Sequence, residues 1–285
     1  MNFEGEDQVN LVKEGDLVQL HGSSYKNNLL LMKAGEIFQT HRGVIKHDDI
    51  IGQPWGVQLK SHSGNPFYVL QPGISDLVQS IKRTTQIMYP KDIGYIVLKL
   101  GIGPGTRVLE CGGGSGGFTT VLAYLTGDTG RVYSYERNPE AQKLAKKNLT
   151  LFGLEDRVEF KPGDAADGFE ERNLDVIFLD LPNPYDYMEQ VQRSLKAGGN
   201  FGTLLPTVNQ VEITLKALTH SNFAFIEVCE VLLRHFKSDW TRFRPVDRMV
   251  AHTGYLIFAR AIQQSELELG EQTQEVLNDK PEVEA

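Results

Sequence analysis

The chain has 285 residues, 40% hydrophobic and 23% charged, which is enough for a sizeable core and two domains. Its apolar runs fall short of the roughly 18 residues of a membrane span, Met1 opens an acidic stretch with no signal-peptide pattern, and Cys111 and Cys229 stand alone without metal-ligand spacing. These features argue against a membrane protein, a disulfide scaffold and a structural zinc module, and they set the expectation of a cytoplasmic protein without a metal. The formal charge of −8 is unevenly spread: residues 1–16 hold five acids against one lysine and residues 261–285 seven against one, so residues 17–260 carry +2. An anionic partner for that body is therefore not excluded.

In chain order, residues 1–10 read as a flexible acidic N-terminus. Residues 11–73 hold short alternating segments (LVQLHG, NNLLLMKAG, GVIKHDDIIG, PWGVQLKS, PFYVL) separated by Gly, Asn and Pro, the pattern of a small β domain with hairpins. Residues 74–106 form a linker: Ile74 to Ile81 is helical, and QIMYPKDIGYIVLKLGI runs from a loop into an amphipathic helix with Pro90 in its first turn, ended by Gly101 to Gly105.

From residue 107 to 262 strands alternate with helices, the pattern of an α/β domain. The strand in RVLECGGGSGG turns through glycines into the helix FTTVLAYL; RVYSYE is a second strand, Arg157 to Phe160 a third, and DVIFLD a fourth. Pro182 and Pro184 stiffen the turn that follows, where Tyr185 or Tyr187 could offer a face to a flat ring. MEQVQRSLK is a helix stopped by Gly198-Gly199, NFGTLLP a strand, Asn209 to His220 a helix, and AFIEVCEVLLRHF with TGYLIFARA a closing strand pair. Residues 263–285 read as an acidic, disordered tail.

The glycine turn is a ligand cradle: without Cβ atoms the backbone can press against a ligand, and the helix start offers unpaired N–H groups. Four strand ends bring Glu110, Glu136, Asp164 and Asp180 to one sheet edge, where open parallel sheets bind ligands. A single such carboxylate is as readily a turn former or helix cap; four beside a glycine turn point to a nucleoside. A dinucleotide site favours G-x-G-x-x-G, whereas here the order is E-x-G-x-G-x-G, with the acid before the glycines.

That order resembles motif I of the class I S-adenosylmethionine-dependent methyltransferases, whose Rossmann-like fold carries a cationic cofactor without phosphate. More specifically, FQTHRGVIKHDDIIGQPWG, RTTQIMYPKDIGYIV, the glycine cradle, DLPNPYDY and RPVDRMVAHTGYLIFAR together look like the tRNA adenine-58 N1-methyltransferase family, the homotetrameric bacterial and archaeal TrmI type, over about residues 15–260. The resemblance implies S-adenosylmethionine as methyl donor, the tRNA T-loop as acceptor, with adenine-57 as a second target in some archaeal members, and a homotetramer. It places Gly112, Gly114, Ser115, Gly116, Gly117 and Phe118 along the methionine and ribose part, Glu110 near the methionine end, and Glu136 and Asp164 on the nucleoside. Gln86 and Ile87 lie over the cofactor in this reading, Tyr89 near the target base, and Asp180 beside both cofactor and base as the catalytic group. Where the family shows an acid or similar residue, Pro and Trp after DLP, this chain has Asn183 and Tyr185, which leaves Asp180 intact but supplies neither an acid at 183 nor an indole at 185.

A carboxylate suits the chemistry, because attack by adenine N1 on a methyl leaves positive charge on N1 and N6 that Asp180 can stabilise while accepting a hydrogen bond from N6–H. Tyr89 would stack on the base or hydrogen-bond it; the alternative is a tyrosine packed at the domain junction. Candidates for RNA contact are His41, Arg42, Lys82, Arg83 and Lys91, and a second group of Arg234, Arg242, Arg244, Arg248 and His252 among Trp240, Phe243 and Tyr255. His252 reads equally as a structural histidine. Two other functions stay open: another class I methyltransferase, such as a protein carboxyl methyltransferase, and a non-catalytic RNA-binding subunit, against which the intact Gly112, Gly114, Gly116, Glu136, Asp164 and Asp180 argue.

Overall fold

Alternation in the first seventy residues builds β-structure around its own small core. The computed structural model describes residues 10–22, 27–84 and 86–263, so the acidic segments expected at 1–10 and 263–285 lie, but for Asn10 and Gln263, outside the described residues. Strands β1 (Leu17–Gly22), β2 (Asn27–Leu31), β3 (Ile37–Thr40), β4 (Gly43–Lys46), β5 (Gln58–Lys60) and β6 (Pro66–Leu70) come first. Four of them form an antiparallel sheet in the order β2-β1-β6-β5, and β3 and β4 make a separate hairpin. Strand β6 shows the cause plainly: Phe67 and Val69 turn inward to join Val18, Leu20, Met32, Ile45 and Ile50, while Tyr68 between them is exposed.

Helix α1 (Ile74–Ser80) buries Leu77 and Val78, and the Gln19 Nε2 donates to Asp76 Oδ1 at 2.8 Å, tying this helix to β1. Helix α2 (Pro90–Lys99) starts at a proline, whose missing N–H costs nothing in a first turn, and buries Ile93 and Ile96.

The remaining elements are β7 (Arg107–Cys111), α3 (Gly117–Thr126), β8 (Arg131–Glu136), α4 (Pro139–Leu151), β9 (Val158–Pro162), β10 (Leu174–Leu179), α5 (Met188–Ser194), β11 (Leu195–Leu205), α6 (Val208–Thr219), β12 (Phe223–Cys229) and β13 (Tyr255–Ala261). They build one seven-stranded sheet, ordered β12-β13-β11-β10-β7-β8-β9, in which β7 to β11 pair in parallel and β13 runs antiparallel to both neighbours. Both faces are covered: Val108, Val176 and Phe178 face one core, Leu109, Ile177 and Leu179 the other. That is why the central strands read as continuous apolar runs. The chain order reverses between β7 and β10, and at such a switch point the strand ends leave a crevice. No helix among the described residues is long and apolar enough to cross a membrane.

Several expected elements differ. Helix α4, not among the elements that the sequence pattern predicts, is capped by Asn138, which accepts from the Glu140 and Ala141 N–H groups, with Pro139 in its first turn. Helix α5 ends at Ser194, two residues short of the expected Lys196, because Leu195 sinks into the core and opens β11. The glycine pair Gly198-Gly199 therefore lies inside an irregular strand beginning, where the pairing register with β10 shifts. Strand β12 stops at Cys229, opposite Leu256, so Glu230 to Phe236 is not strand but the start of an arm reaching to β13. Strand β9 begins at Val158 after a short 3-10 turn over Glu155–Arg157.

Candidate active site

The crevice is made by three strand ends stitched together. The Asp180 N–H donates to the Cys111 carbonyl at 2.9 Å, joining β10 to β7, and the N–H groups of Gly112 and Gly113 donate to the Tyr135 carbonyl at 2.9 and 3.3 Å, joining β7 to β8. Only glycine fits at 112: its φ is +95° and a Cβ would stand 2.3 Å from the Asp180 carbonyl oxygen. On the other side of the turn the Thr84 N–H donates to Ser115 Oγ at 3.2 Å, and Asn148 Nδ2 donates to the carbonyls of Lys82 and Ser115 at 2.9 and 3.0 Å. The QIMYP loop is thereby moored over the glycine turn, and Ile87 packs on Gly117, where a Cβ would lie 3.0 Å from Ile87 Cγ2.

The result is a cleft of about 290 Å³ that brings together six of the expected residues: Gln86, Gly112, Gly114, Glu136, Asp164 and Asp180. Glu136 accepts from the Gly114 N–H with one oxygen and the Asn138 N–H with the other, both at 2.8 Å. Asp164 accepts from the Ala166 N–H at 3.0 Å and has the Arg137 guanidinium 3.6 Å away. Burial, and then the charge of Glu136, push the Asp180 carboxyl up to about 6.

Other expected residues sit elsewhere. Glu110 is 1% exposed beneath the turn, where its Oε2 accepts from Thr119 Oγ1 at 2.6 Å and Ser134 Oγ at 3.2 Å, and it does not reach the cleft wall; burial pushes it up to about 7. Strand alternation turns it toward α3, on the opposite face of β7 from Cys111, which lines the cleft. Phe118 is likewise core, edge-on to Phe178 at 5.1 Å, and Ser115 and Gly116 hold the turn from behind rather than lining the cleft. Tyr89 precedes α2, 39% exposed, outside the cleft lining. Burial raises the Cys111 thiol to about 12, which leaves it protonated and no nucleophile.

Among the candidates for RNA contact Lys91 is corrected. Its side chain is 6% exposed and its Nζ donates to Asp92 Oδ1 and the Val231 carbonyl, both at 2.7 Å, and to Thr253 Oγ1 at 2.5 Å, so it anchors α2 to the arm instead of meeting phosphate. Both ring nitrogens of His252 are engaged, with Glu230 Oε1 at 2.7 Å and the Pro206 carbonyl at 2.9 Å, the structural alternative. Trp240 and Phe243 are 91% and 71% exposed on the arm. Among the cleft residues outside the expected site are Arg137, directly after the acid ending β8, Asn183, and Tyr187, one of the two tyrosines of the DLPNPYDY turn. The position of Arg137 in the sequence was a usable signal.

Three carboxylates and a Cβ-free turn in one cleft, where the one lining cation among the described residues stands beside Asp164, suit a cationic nucleoside better than a pyrophosphate. This donor set fits S-adenosylmethionine, which carries hydroxyl and amine donors and a positive sulfonium. The sheet order with its antiparallel last strand and this cleft define a class I S-adenosylmethionine-dependent methyltransferase.

The comparisons narrow the class. The family model described as "tRNA methyltransferase complex GCD14 subunit" matches residues 66–244, and a "TrmI-like N-terminal" model matches residues 11–58. The chain belongs to the GCD14 family of tRNA methyltransferases. It is 36% identical over 270 residues to the tRNA (adenine(57)-N(1)/adenine(58)-N(1))-methyltransferase TrmI of Methanocaldococcus jannaschii, covering 86% of this chain and 93% of that one. To the tRNA (adenine(58)-N(1))-methyltransferase TrmI of Thermus thermophilus it is 31% identical, covering 81% and 91%. Among solved structures, the tRNA (m1A58) methyltransferase TrmI of Aquifex aeolicus superposes with a TM-score of 0.75 at 38% identity, covering 90% of this chain and all of that one. An S-adenosylmethionine-dependent O-methyltransferase of Thermotoga maritima superposes at 0.81 with 40% identity, covering 90% and 96%.

Proposed function

We propose that this protein transfers a methyl group from S-adenosylmethionine to N1 of adenine-58 in the T-loop of tRNA, giving 1-methyladenosine. The observation that carries the reading is Asp180, a carboxylate raised by burial at the end of β10, in the same cleft as the glycine turn and two nucleoside-binding acids. S-adenosylmethionine supplies there an electrophilic methyl on a positive sulfonium. Glu136 holds its ribose, Asp164 its adenine amine, and Gly112, Gly114 and Gln86 shape the wall. Adenine N1 carries no proton, so no base has to remove one; Asp180 instead accepts a hydrogen bond from N6–H and stabilises the cation that spreads over N1 and N6. In a largely desolvated site that interaction is far stronger than in water. Alignment of acceptor and methyl at about 3 Å supplies much of the remaining rate.

The reading extends to RNA and assembly. The target base leaves its stack to enter the cleft. Trp240 and Phe243, exposed on an arm with Arg234, Arg242 and Arg248, suit stacking on bases and pairing with phosphates. With a body charge of only +2, an extended positive surface comes from asymmetric placement of the basic residues or from assembly of several copies, and a homotetramer would supply the second. With tRNA as acceptor, the reading carries a cytoplasmic location. The test is Asp180→Ala: methyl transfer to tRNA falls at least a hundredfold while the S-adenosylmethionine Kd changes little. Loss of cofactor binding in parallel with activity would remove Asp180 from the chemical step.

A further inference from the structure

The loop after Asp180 is held rigidly. Pro182 and Pro184 restrict it, Gln210 Nε2 on α6 donates to the Pro182 carbonyl at 2.8 Å, and the Asp186 N–H donates to the Asn183 carbonyl at 3.2 Å. Asn183 lines the same cleft as Asp180. Its Nδ2 lies 2.7 Å from Asp186 Oδ2 and 3.1 Å from the Tyr187 hydroxyl. A carboxylate only accepts, so Asp186 dictates which way the amide faces. Both N–H bonds of Nδ2 are then spent, and Oδ1, an acceptor, is the side-chain atom that Asn183 has left for a ligand.

Adenine presents two N–H donors at N6 beside the N1 lone pair. Asp180 accepts one of them, and the second N–H needs a partner once the base has left water. A 6-oxopurine would instead set its carbonyl oxygen against two acceptors. Resting on the methyltransferase reading, we propose that Asn183, oriented by Asp186 and Tyr187, accepts from the second N6–H of the target adenine and is a specificity residue for the base.

The experiment compares two transcripts of one tRNA, with adenosine or purine riboside, which lacks the amino group, at the target position. Wild type and Asn183→Ala are assayed for kcat/KM on each, and for S-adenosylmethionine Kd. The adenine-over-purine ratio falls about ten- to hundredfold in the variant, because the adenine substrate loses a hydrogen bond that purine never made. Asp186→Asn, on an exposed residue, frees the amide to turn over and lowers the same ratio by a smaller factor, and it carries the test if Asn183→Ala does not fold. Equal losses on both substrates mean a merely structural Asn183 and overturn the proposal, as does a weakened cofactor Kd with an unchanged ratio. If the wild type methylates neither transcript while binding the cofactor, the tRNA reading itself fails and this assignment falls with it.

Discussion

Replacing Gly112 with alanine tests the link between the glycine turn and the catalytic acid. At φ +95° a non-glycine residue costs about 1–2 kcal/mol for its left-handed backbone alone. The new Cβ would also stand 2.3 Å from the Asp180 carbonyl oxygen and 3.1 Å from its carbon, so ordinary contact near 3.4 Å requires a retreat of about 1 Å. Overpacking of this kind adds roughly 1–3 kcal/mol, for a total destabilisation of about 2–5 kcal/mol. The displaced group is the backbone of Asp180 itself, and a 1 Å misplacement of a catalytic group costs about a hundredfold in rate. Gly15→Ala is the control: φ is +87° there and nothing lies within 4 Å of the Cβ, so it has the backbone strain without the clash. Urea unfolding and kcat at saturating cofactor and tRNA are measured for both. Gly112→Ala loses about a hundredfold in kcat and Gly15→Ala none. Wild-type kcat in Gly112→Ala, with a stability loss no larger than that of the control, would refute the coupling.

Acid sensitivity of the reaction should follow Asp180. With its pKa near 6, kcat/KM measured below cofactor saturation falls tenfold per pH unit under about pH 6, and Glu136→Gln, by removing a neighbouring charge, moves that limb to lower pH. An unshifted limb would detach the profile from this pair. Glu110 predicts a stability effect of defined sign: its folded pKa is raised to about 7, so its contribution is fully present below the unfolded value near 4.5 and is lost as pH rises through 7. Glu110→Gln does not titrate and should gain about 2–3 kcal/mol on wild type between pH 5 and 8 in unfolding free energy; a pH-independent difference would contradict a buried, protonated Glu110. Asp92→Ala strands Lys91, 6% exposed, without its carboxylate, and should cost about 3–5 kcal/mol by urea titration; a loss below 1 kcal/mol would mean that water reaches the pair.

The sheet and its cleft were legible because period and punctuation agree: apolar runs end in acids, and glycines follow the first. Helix α4 was readable in principle: Ala141, Ala145 and Leu149 recur four residues apart on its buried face, and Asn138-Pro139 announces its start, but two of those three side chains are only methyl groups. Glu110 was readable in principle, since two-residue alternation puts it on the face of Val108, under α3, and Cys111 on the cleft side. Lys91 was not readable: its partners Val231 and Thr253 come from more than a hundred residues away, and only folding of the arm makes it an anchor. Asn183 looked like a departure from a pattern, and its meaning emerged only with Asp186 and Tyr187 placed around it.

The most direct measurement is nucleoside mapping of an unmodified tRNA transcript after incubation with the protein and labelled S-adenosylmethionine, alongside a transcript with guanosine at position 58. The account predicts 1-methyladenosine at position 58 of the first, with none at that position of the second. Tight cofactor binding with no methylated adenosine in either transcript would contradict it.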